Sequence, residues 1–295
     1  MIEKKTVGEQ IFNIFNILLM LVLIVISLYP LMYVLFASVS DPRLLIQAHG
    51  EILWRPVGNI NLAAYRLAFS DPTIMTGYLN TLIVVTGGLA INLFLTSMGA
   101  YCLSRKDVYW NRLFTILIII TMVFTGGIIP LALTVRGLGL FNSRWALVLP
   151  VAVNTFNLII MRTAMKEIPD SLVESAQIDG AGHVLILFRI MLPLSKAVLA
   201  VMVLYYGVGH WNAWAHAVMF IQSPDRMPLQ VVLRNILLQN QFTDAMQGIA
   251  ETDRLSVSET IRYATIIIAT VPILMLYPFL QKFFAKGVMI GSVKG

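Results

Sequence analysis

A chain of 295 residues with 58% hydrophobic and only 12% charged residues, at a mean hydropathy of +0.80, carries more apolar surface than one water-soluble core can hide. Its single cysteine, Cys102, sits inside an apolar run and reads as packing, which excludes a disulfide framework and a cysteine-based metal site. The formal net charge of +6 would point to nucleic acid in a soluble protein, but here the basic residues flank apolar runs where anionic lipid headgroups are the counter-charge, so no nucleic-acid role is expected.

Residues 1–10 have mixed charge, and the apolar run that follows is too long for a signal peptide and lacks a small-residue cleavage site, so it is expected to remain as a first span. Crossing about 30 Å of hydrocarbon takes roughly 20 residues of helix. Runs of that length fall at residues 11–37, 79–103, 113–133, 145–165, 194–220 and 261–284. Alternating ten-residue strands, the barrel signature, are absent from the sequence. The expectation is therefore an all-α integral membrane protein with six transmembrane helices, forming a single domain over residues 11–295. An even number of spans puts both termini on one side. With the termini in the cytoplasm, all lysines, including Lys106, Lys166 and Lys196, fall inside, whereas Arg43, Arg55, Arg66, Arg136, Arg144, Arg226, Arg234, Arg254 and Arg262 face outward. Several of these arginines lie in two long loops, residues 38–78 and 221–260, which translocate largely regardless of charge and read as partly ordered outer segments. Ser256 and Glu259 stand in capping-box spacing ahead of the last span.

The spans hold no acidic residue, and His210 and His216 are six apart, which does not place two ligands on one helical face. Proton-coupled or voltage-sensing transport would leave Asp, Glu or repeated Arg at mid-span. No catalytic site is expected in the chain, and energy for any transport must come from elsewhere. A polytopic membrane enzyme is disfavoured for the same reason. A scaffold that merely anchors another protein has no need of the polar and aromatic residues in spans four and five.

One stretch breaks the apolar monotony. Residues 167–193 are too polar to span and too patterned for a linker. Pro169 suits a first helical turn, and Leu172, Ala176 and Asp179 follow along one side, with small Ser175 and Ala176 allowing another backbone close. Gly180 and Gly182 interrupt the helix, and a second, greasier helix from Val184 is expected to end at Pro193. The product is a helix, a bend and a helix. An ordinary amphipathic interfacial loop fits the same pattern, and patterning alone does not choose between the two.

This stretch resembles the cytoplasmic signature of the binding-protein-dependent permeases of ABC importers, which reads E-A-A, three residues, G, nine residues, I-x-L-P. Here it is Glu174-Ser175-Ala176, Gly180 and Ile190-x-Leu192-Pro193, with every spacing kept and serine in place of the first alanine. The chain is similar to the carbohydrate-uptake permeases of the maltose type over nearly its whole length. Tyr29-Pro30, Asn80-Thr81, Ala100-Tyr101 with Arg105, and Trp211-Asn212 fall where that family has similar residues. The C-terminal Val293-Lys294-Gly295 resembles the tail of the maltose system's second permease.

The resemblance implies the type I importer permease fold in a bacterial or archaeal cell membrane. It implies that Glu174, Ser175, Ala176, Asp179, Gly180, Ile190, Leu192 and Pro193 form a coupling segment seated in a cleft of a cytoplasmic ATPase. The tail, residues 285–295, is implied to reach the ATPase dimer interface, a solvated tail being the plainer alternative. The implied partners are a second, homologous permease, an ABC ATPase dimer that holds ATP and Mg, and an extracytoplasmic solute-binding protein delivering a sugar or oligosaccharide. The same architecture importing an amino acid, a peptide or an ion is the alternative. Sugars are held by amides and aromatic faces, so Asn154, Asn157, Tyr205, Tyr206, His210, Trp211, Asn212 and Trp214 are the candidates for the substrate pathway. Each of them also fits interhelical or interfacial anchoring.

Overall fold

The computed structural model describes residues 6–48, 51–239 and 251–292, and every regular element among them is helical. Helix α1, Val7–Ser38, opens with a capping box that the sequence reading missed. Glu9 N–H donates to Thr6 Oγ1, and Thr6 N–H donates to Glu9 Oε2. The apolar residues of α1 are exposed from Ile11 through Ile26, which suits a helix whose solvent is hydrocarbon.

The chain divides into two compact units. In the first, within Met1–Asp71 and Asn235–Thr270, the long loop after α1 is folded rather than loose. Helices α2, Pro42–Gln47, and α3, Ala63–Ser70, lie in it. Ala37, Leu45 and Leu53 form a small core with Tyr33, Val57 and Tyr263. Ser40 ties the corner, donating to Phe36 O at 2.7 Å and accepting from Val57 N–H at 2.9 Å.

The second unit, within Pro72–Arg234 and Val271–Gly295, is organised on α4, Pro72–Ser104. Asn80, Val84, Gly88, Asn92, Thr96 and Ala100 are all buried and follow at steps of four, a ridge of small and polar side chains that lets neighbouring backbones approach. Against α4 pack α7, Thr155–Lys166, and α11, Lys196–Trp211.

Three of the expected spans are not continuous. The run at 113–133 is α5, Asn111–Val123, followed by α6, Ile128–Gly137, bent by 112°. Gly127 at φ 83° makes the break, and the missing N–H of Pro130 falls in the first turn of α6, where donors are unpaired anyway. The run at 145–165 begins as 3₁₀ helix over Arg144–Val151 and turns 50° into α7. The run at 194–220 breaks at Asn212 between α11 and α12, Trp214–Phe220.

Before α11 come α8, Asp170–Ile178, α9, His183–Ile186, a π-helical stretch at Leu187–Met191, and α10, Leu192–Leu194. Pro193 therefore lies inside the helix, and the chain turns by 87° after Leu194. The wide π turn precedes the point where the proline lacks its N–H and where its ring would meet a normal helical carbonyl. Helix α13, Leu229–Gln239, and α14, Glu251–Ser292, complete the chain. Because α14 begins at Glu251, Ser256 does not start the helix as its spacing predicts, and Glu259 instead pairs with Arg262 at 2.8 Å. Among the described residues three helices are long and apolar enough to cross a membrane unbroken, and up to six crossings result if each bent pair counts as one.

Candidate functional site

Helix breaks inside a membrane free carbonyls that no water can satisfy. In the second unit the polar ridge of α4 meets this need at three levels. At one end, Asn80 Nδ2 donates to the carbonyls of Asp225 and Met227 at 2.9 and 3.0 Å, and Thr81 Oγ1 accepts from Leu229 N–H at 2.9 Å. Asn80 Oδ1 accepts from Arg144 Nε at 2.8 Å. Asn80-Thr81 thus staples the returning loop to α4.

At mid-helix, Asn92 Nδ2 donates to Val151 O and Ala152 O, both at 2.9 Å, where the 3₁₀ segment gives way to α7. That leaves Asn92 Oδ1 as acceptor for His210 Nε2 at 2.8 Å, which fixes the proton on Nε2. Gly88 makes the contact possible, since a Cβ there would lie 2.5 Å from His210 Nε2. Thr96 and Tyr206 share a 2.7 Å hydrogen bond, and Tyr206 Oη accepts from Asn154 N–H at 3.0 Å. Gly88, Asn92 and Thr96 were missed as functional residues, although polar and small residues at steps of four in an apolar helix were there to be read.

Beside this wall lies a cavity of about 320 Å³. All the pathway candidates except Trp211 line it: Asn154, Asn157, Tyr205, Tyr206, His210, Asn212 and Trp214. Trp211 is buried with its ring edge-on to Tyr78, a packing residue. The residues divide by role. Tyr206, His210 and Asn157 are buried wall, while Tyr205 and Trp214, 44% and 47% exposed, present aromatic surface. His216 also lines the cavity and stacks on Phe220. Asn154 Oδ1 accepts from Asn157 N–H as the N-cap of α7.

At the other end of α4, residues 167–193 form the expected helix, bend and helix. Lys106 Nζ donates to Asp170 Oδ2 at 2.7 Å. This bond and its charge pairing hold the Asp170 carboxyl below its ordinary range and raise Lys106 above its own. Pro169 lies just before the helix, as its N-cap. Helix α8 ends in a Schellman motif: Gly180 N–H donates to Gln177 O and Ala181 N–H to Ala176 O, at 3.0 and 2.8 Å. Gly180 takes φ 83°, which explains the glycine of the motif without any side-chain contact.

The faces of α8 differ from expectation. Val173, 2% exposed, is the plug, and Ala176 packs beside it on a core of Tyr101, Leu158, Met161, Met165, Ile186 and Met191. Burying Val173 contributes about 2 kcal/mol to holding the projection. Leu172, at 45%, and Ile178, at 86%, face outward together with Glu174, Ser175 and Asp179. The step of four from Leu172 to Ala176 follows the helix side only loosely, and the inner face is set one residue further round. Ile190 and Leu192 are half-buried against the same core, while Pro193 is exposed. Tyr101 Oη lies 3.0 Å from His183 Nδ1, tying α9 to α4. The tail residues Val293, Lys294 and Gly295 lie outside the described residues. Among the described residues no group of His, Cys, Asp and Glu gathers to hold a metal.

Comparison with known proteins agrees with this geometry. The chain is 39% identical to Protein LplC of Bacillus subtilis over 98% of its length and 97% of that protein. It is 40% identical to the polygalacturonan/rhamnogalacturonan transport system permease protein YtcP of the same organism, over 92% of this chain and 93% of that one. It also superimposes, at a TM-score of 0.88 and 30% identity over 95% of this chain and 99% of the other, on a chain of a bacterial ABC transporter that imports the acidic polysaccharide alginate. Residues 103–290, the stretch holding α8 and its bend, match the family profile described as binding-protein-dependent transport system inner membrane component. The chain is a multi-pass membrane protein and a transport subunit, and it belongs to the family of binding-protein-dependent transport system inner membrane components.

Proposed function

We propose that this chain is half of the translocation pathway of an ATP-driven importer for an oligosaccharide, taken from an extracytoplasmic solute-binding protein. The observation that carries this reading is the cavity in which amide and aromatic groups, Asn154, Asn212, Tyr205 and Trp214, converge on one open space within apolar helices. Amides match sugar hydroxyls, and aromatic faces match sugar C–H surfaces. The names of the relatives supply the sugar class. In this reading the chain crosses the membrane six times as a single domain over residues 11–295, each bent pair making one crossing, with both termini in the cytoplasm.

The exposed face of α8, Leu172, Glu174, Ser175, Ile178 and Asp179, docks into the partner ATPase. Val173 and Ala176 hold the helix, and Gly180, Ile190, Leu192 and Pro193 shape the turn back into α11. Residues 293–295 complete the contact at the ATPase dimer. ATP and Mg are bound by those partner subunits, and a second, different permease supplies the other half of the path. Closure of the ATPase would move α8 to α10 as one lever on α11, whose cavity-facing residues then change access.

The test is uptake in liposomes by the whole importer. Glu174→Lys combined with Gly180→Leu is expected to abolish uptake while ATP hydrolysis continues, and unchanged uptake would sink the docking assignment. Asn154→Ala, Asn212→Ala and Trp214→Ala are expected to raise the half-saturating oligosaccharide concentration about tenfold, the value of one lost charge-free contact or stack. Wild-type behaviour across all three would remove this cavity from the pathway.

A further inference from the structure

A second cavity in the same unit, of about 390 Å³, has a different chemistry. Arg144, Arg226, Ser143 and Trp145 line it over Ile83 and Val84, and none of the described residues lining it is acidic. Both guanidinium groups are braced from behind. Arg144 Nε donates to Asn80 Oδ1 at 2.8 Å, and Arg226 Nη1 donates to Asn142 O at 2.6 Å. A guanidinium has five N–H donors, so each of these bonds fixes the group and leaves most of its donors for another acceptor. Asp225 stands 3.7 Å from Arg226 Nε as a solvent-exposed ion pair, with side chains 71% and 45% exposed, which is worth little in water and leaves the arginine charge available.

Position gives the cavity its meaning. From Asn80, beside it, to Tyr101, beside α8, α4 rises by about 30 Å, the thickness of the hydrocarbon layer. The cavity thus lies at the membrane face opposite the proposed ATPase dock. The 3₁₀ segment Arg144–Val151 lines both cavities: Arg144 and Val148 face this one, and Leu147 and Val151 face the amide and aromatic one. The two are successive stations along one wall.

We infer that the arginine cavity is an outer station that binds the carboxylate of an acidic sugar unit, Arg144 and Arg226 gripping the carboxylate while Trp145 covers the C–H face of the ring. This rests on the import reading above and narrows its substrate to anionic oligosaccharides. Two braced guanidinium groups whose one close carboxylate, Asp225, is largely solvent-exposed favour an anionic ligand over a neutral one, because a neutral sugar would strip their water and return no charge. A lipid phosphate offers the same charge, but it has no ring for Trp145 and no reason to sit at the entrance of an amide-lined path.

The experiment measures binding of trigalacturonate and of its neutral methyl ester to the purified complex of both permeases and the ATPase, free of solute-binding protein, in zwitterionic nanodiscs. The acid is expected to bind about tenfold tighter than the ester, a preference that weakens with salt. Arg226→Gln and Arg144→Gln are each expected to erase the preference, and Arg144→Lys to keep part of it. Arg226→Gln leaves the Arg144–Asn80 brace intact, so it tests the site even if Arg144→Gln disturbs the fold. Equal binding of acid and ester, or a preference that survives both glutamine variants, would overturn the proposal. So would an Arg226 effect seen only when phosphatidylglycerol is added, which would make the anion a lipid headgroup. Wild-type uptake in liposomes separates this from the underlying reading. Uptake of neutral oligosaccharides alone would leave the sugar importer standing and remove the arginine station, whereas uptake of no oligosaccharide would remove both.

Discussion

The α8 projection and the amide and aromatic cavity sit at different heights on α4 and are built by opposite means. The projection is held by apolar burial and backbone geometry, Val173 beneath it and the Schellman turn at Gly180 behind it, and Leu172, Glu174, Ile178 and Asp179 stay exposed on its outward face. The cavity is held by buried polar groups, with Asn92, Thr96, Tyr206 and His210 spending their hydrogen bonds on broken helix ends and on each other. A water-facing lever needs a fixed shape and a free surface. A membrane-buried path needs every freed carbonyl satisfied before any polar group is spared for a ligand.

The largest expected effect tests the wall. Asn92→Leu strands the Val151 and Ala152 carbonyls and the His210 Nε2–H, at a cost of about 3 kcal/mol or more. Asn154→Leu removes one cap acceptor and should cost only about 1 kcal/mol. Thermal unfolding of the detergent-purified importer compares them, and equal losses would erase the division between wall and lining. Next comes the turn. Gly180→Val forces a β-branched residue to φ 83° and is expected to cost about 1–2 kcal/mol locally and to abolish uptake with the complex still assembled. Gly182→Ala, at φ −74°, should transport normally. A functional Gly180→Val would mean that the Schellman turn does not set the lever.

The smallest effect is Lys106→Ala. The pKa of Asp170 is lowered in the folded state, so its contribution is present above its unfolded value of about 3.9 and fades as pH falls through the folded one. Lys106 is raised, so its contribution is present below its unfolded value of about 10.4 and fades as pH climbs through the folded one. The stability difference between wild type and Lys106→Ala should therefore be small and flat across neutral pH, and vanish at low pH and in high salt. A difference that peaks at one pH within the neutral range would contradict the pairing.

Much of this was legible in the chain itself. Apolar runs gave the helices, and the spacing Glu174, Gly180, Ile190, Leu192, Pro193 marked the projection. The amides and aromatics between Asn154 and Trp214, Trp211 apart, converged on one cavity, because polar residues in a greasy segment have few places to go. The errors have a common cause. Hydropathy averages over a window and cannot see a break that another residue repairs, so the bends at Gly127, Asn154 and Asn212 passed as continuous spans. The same blindness hid Asn92, whose partners lie far away in the chain.

Composition and motif spacing by themselves determined that the chain lives in lipid and that residues 167–193 are its one patterned polar stretch, since both follow from which residues are adjacent. Only the tertiary structure decided which face of α8 is free, which of Tyr205, Tyr206, His210 and Trp211 is wall and which is lining, and that Arg144 and Arg226 share a cavity. Those outcomes depend on hydrogen bonds and packing between segments far apart in sequence, and local periodicity carries no record of them.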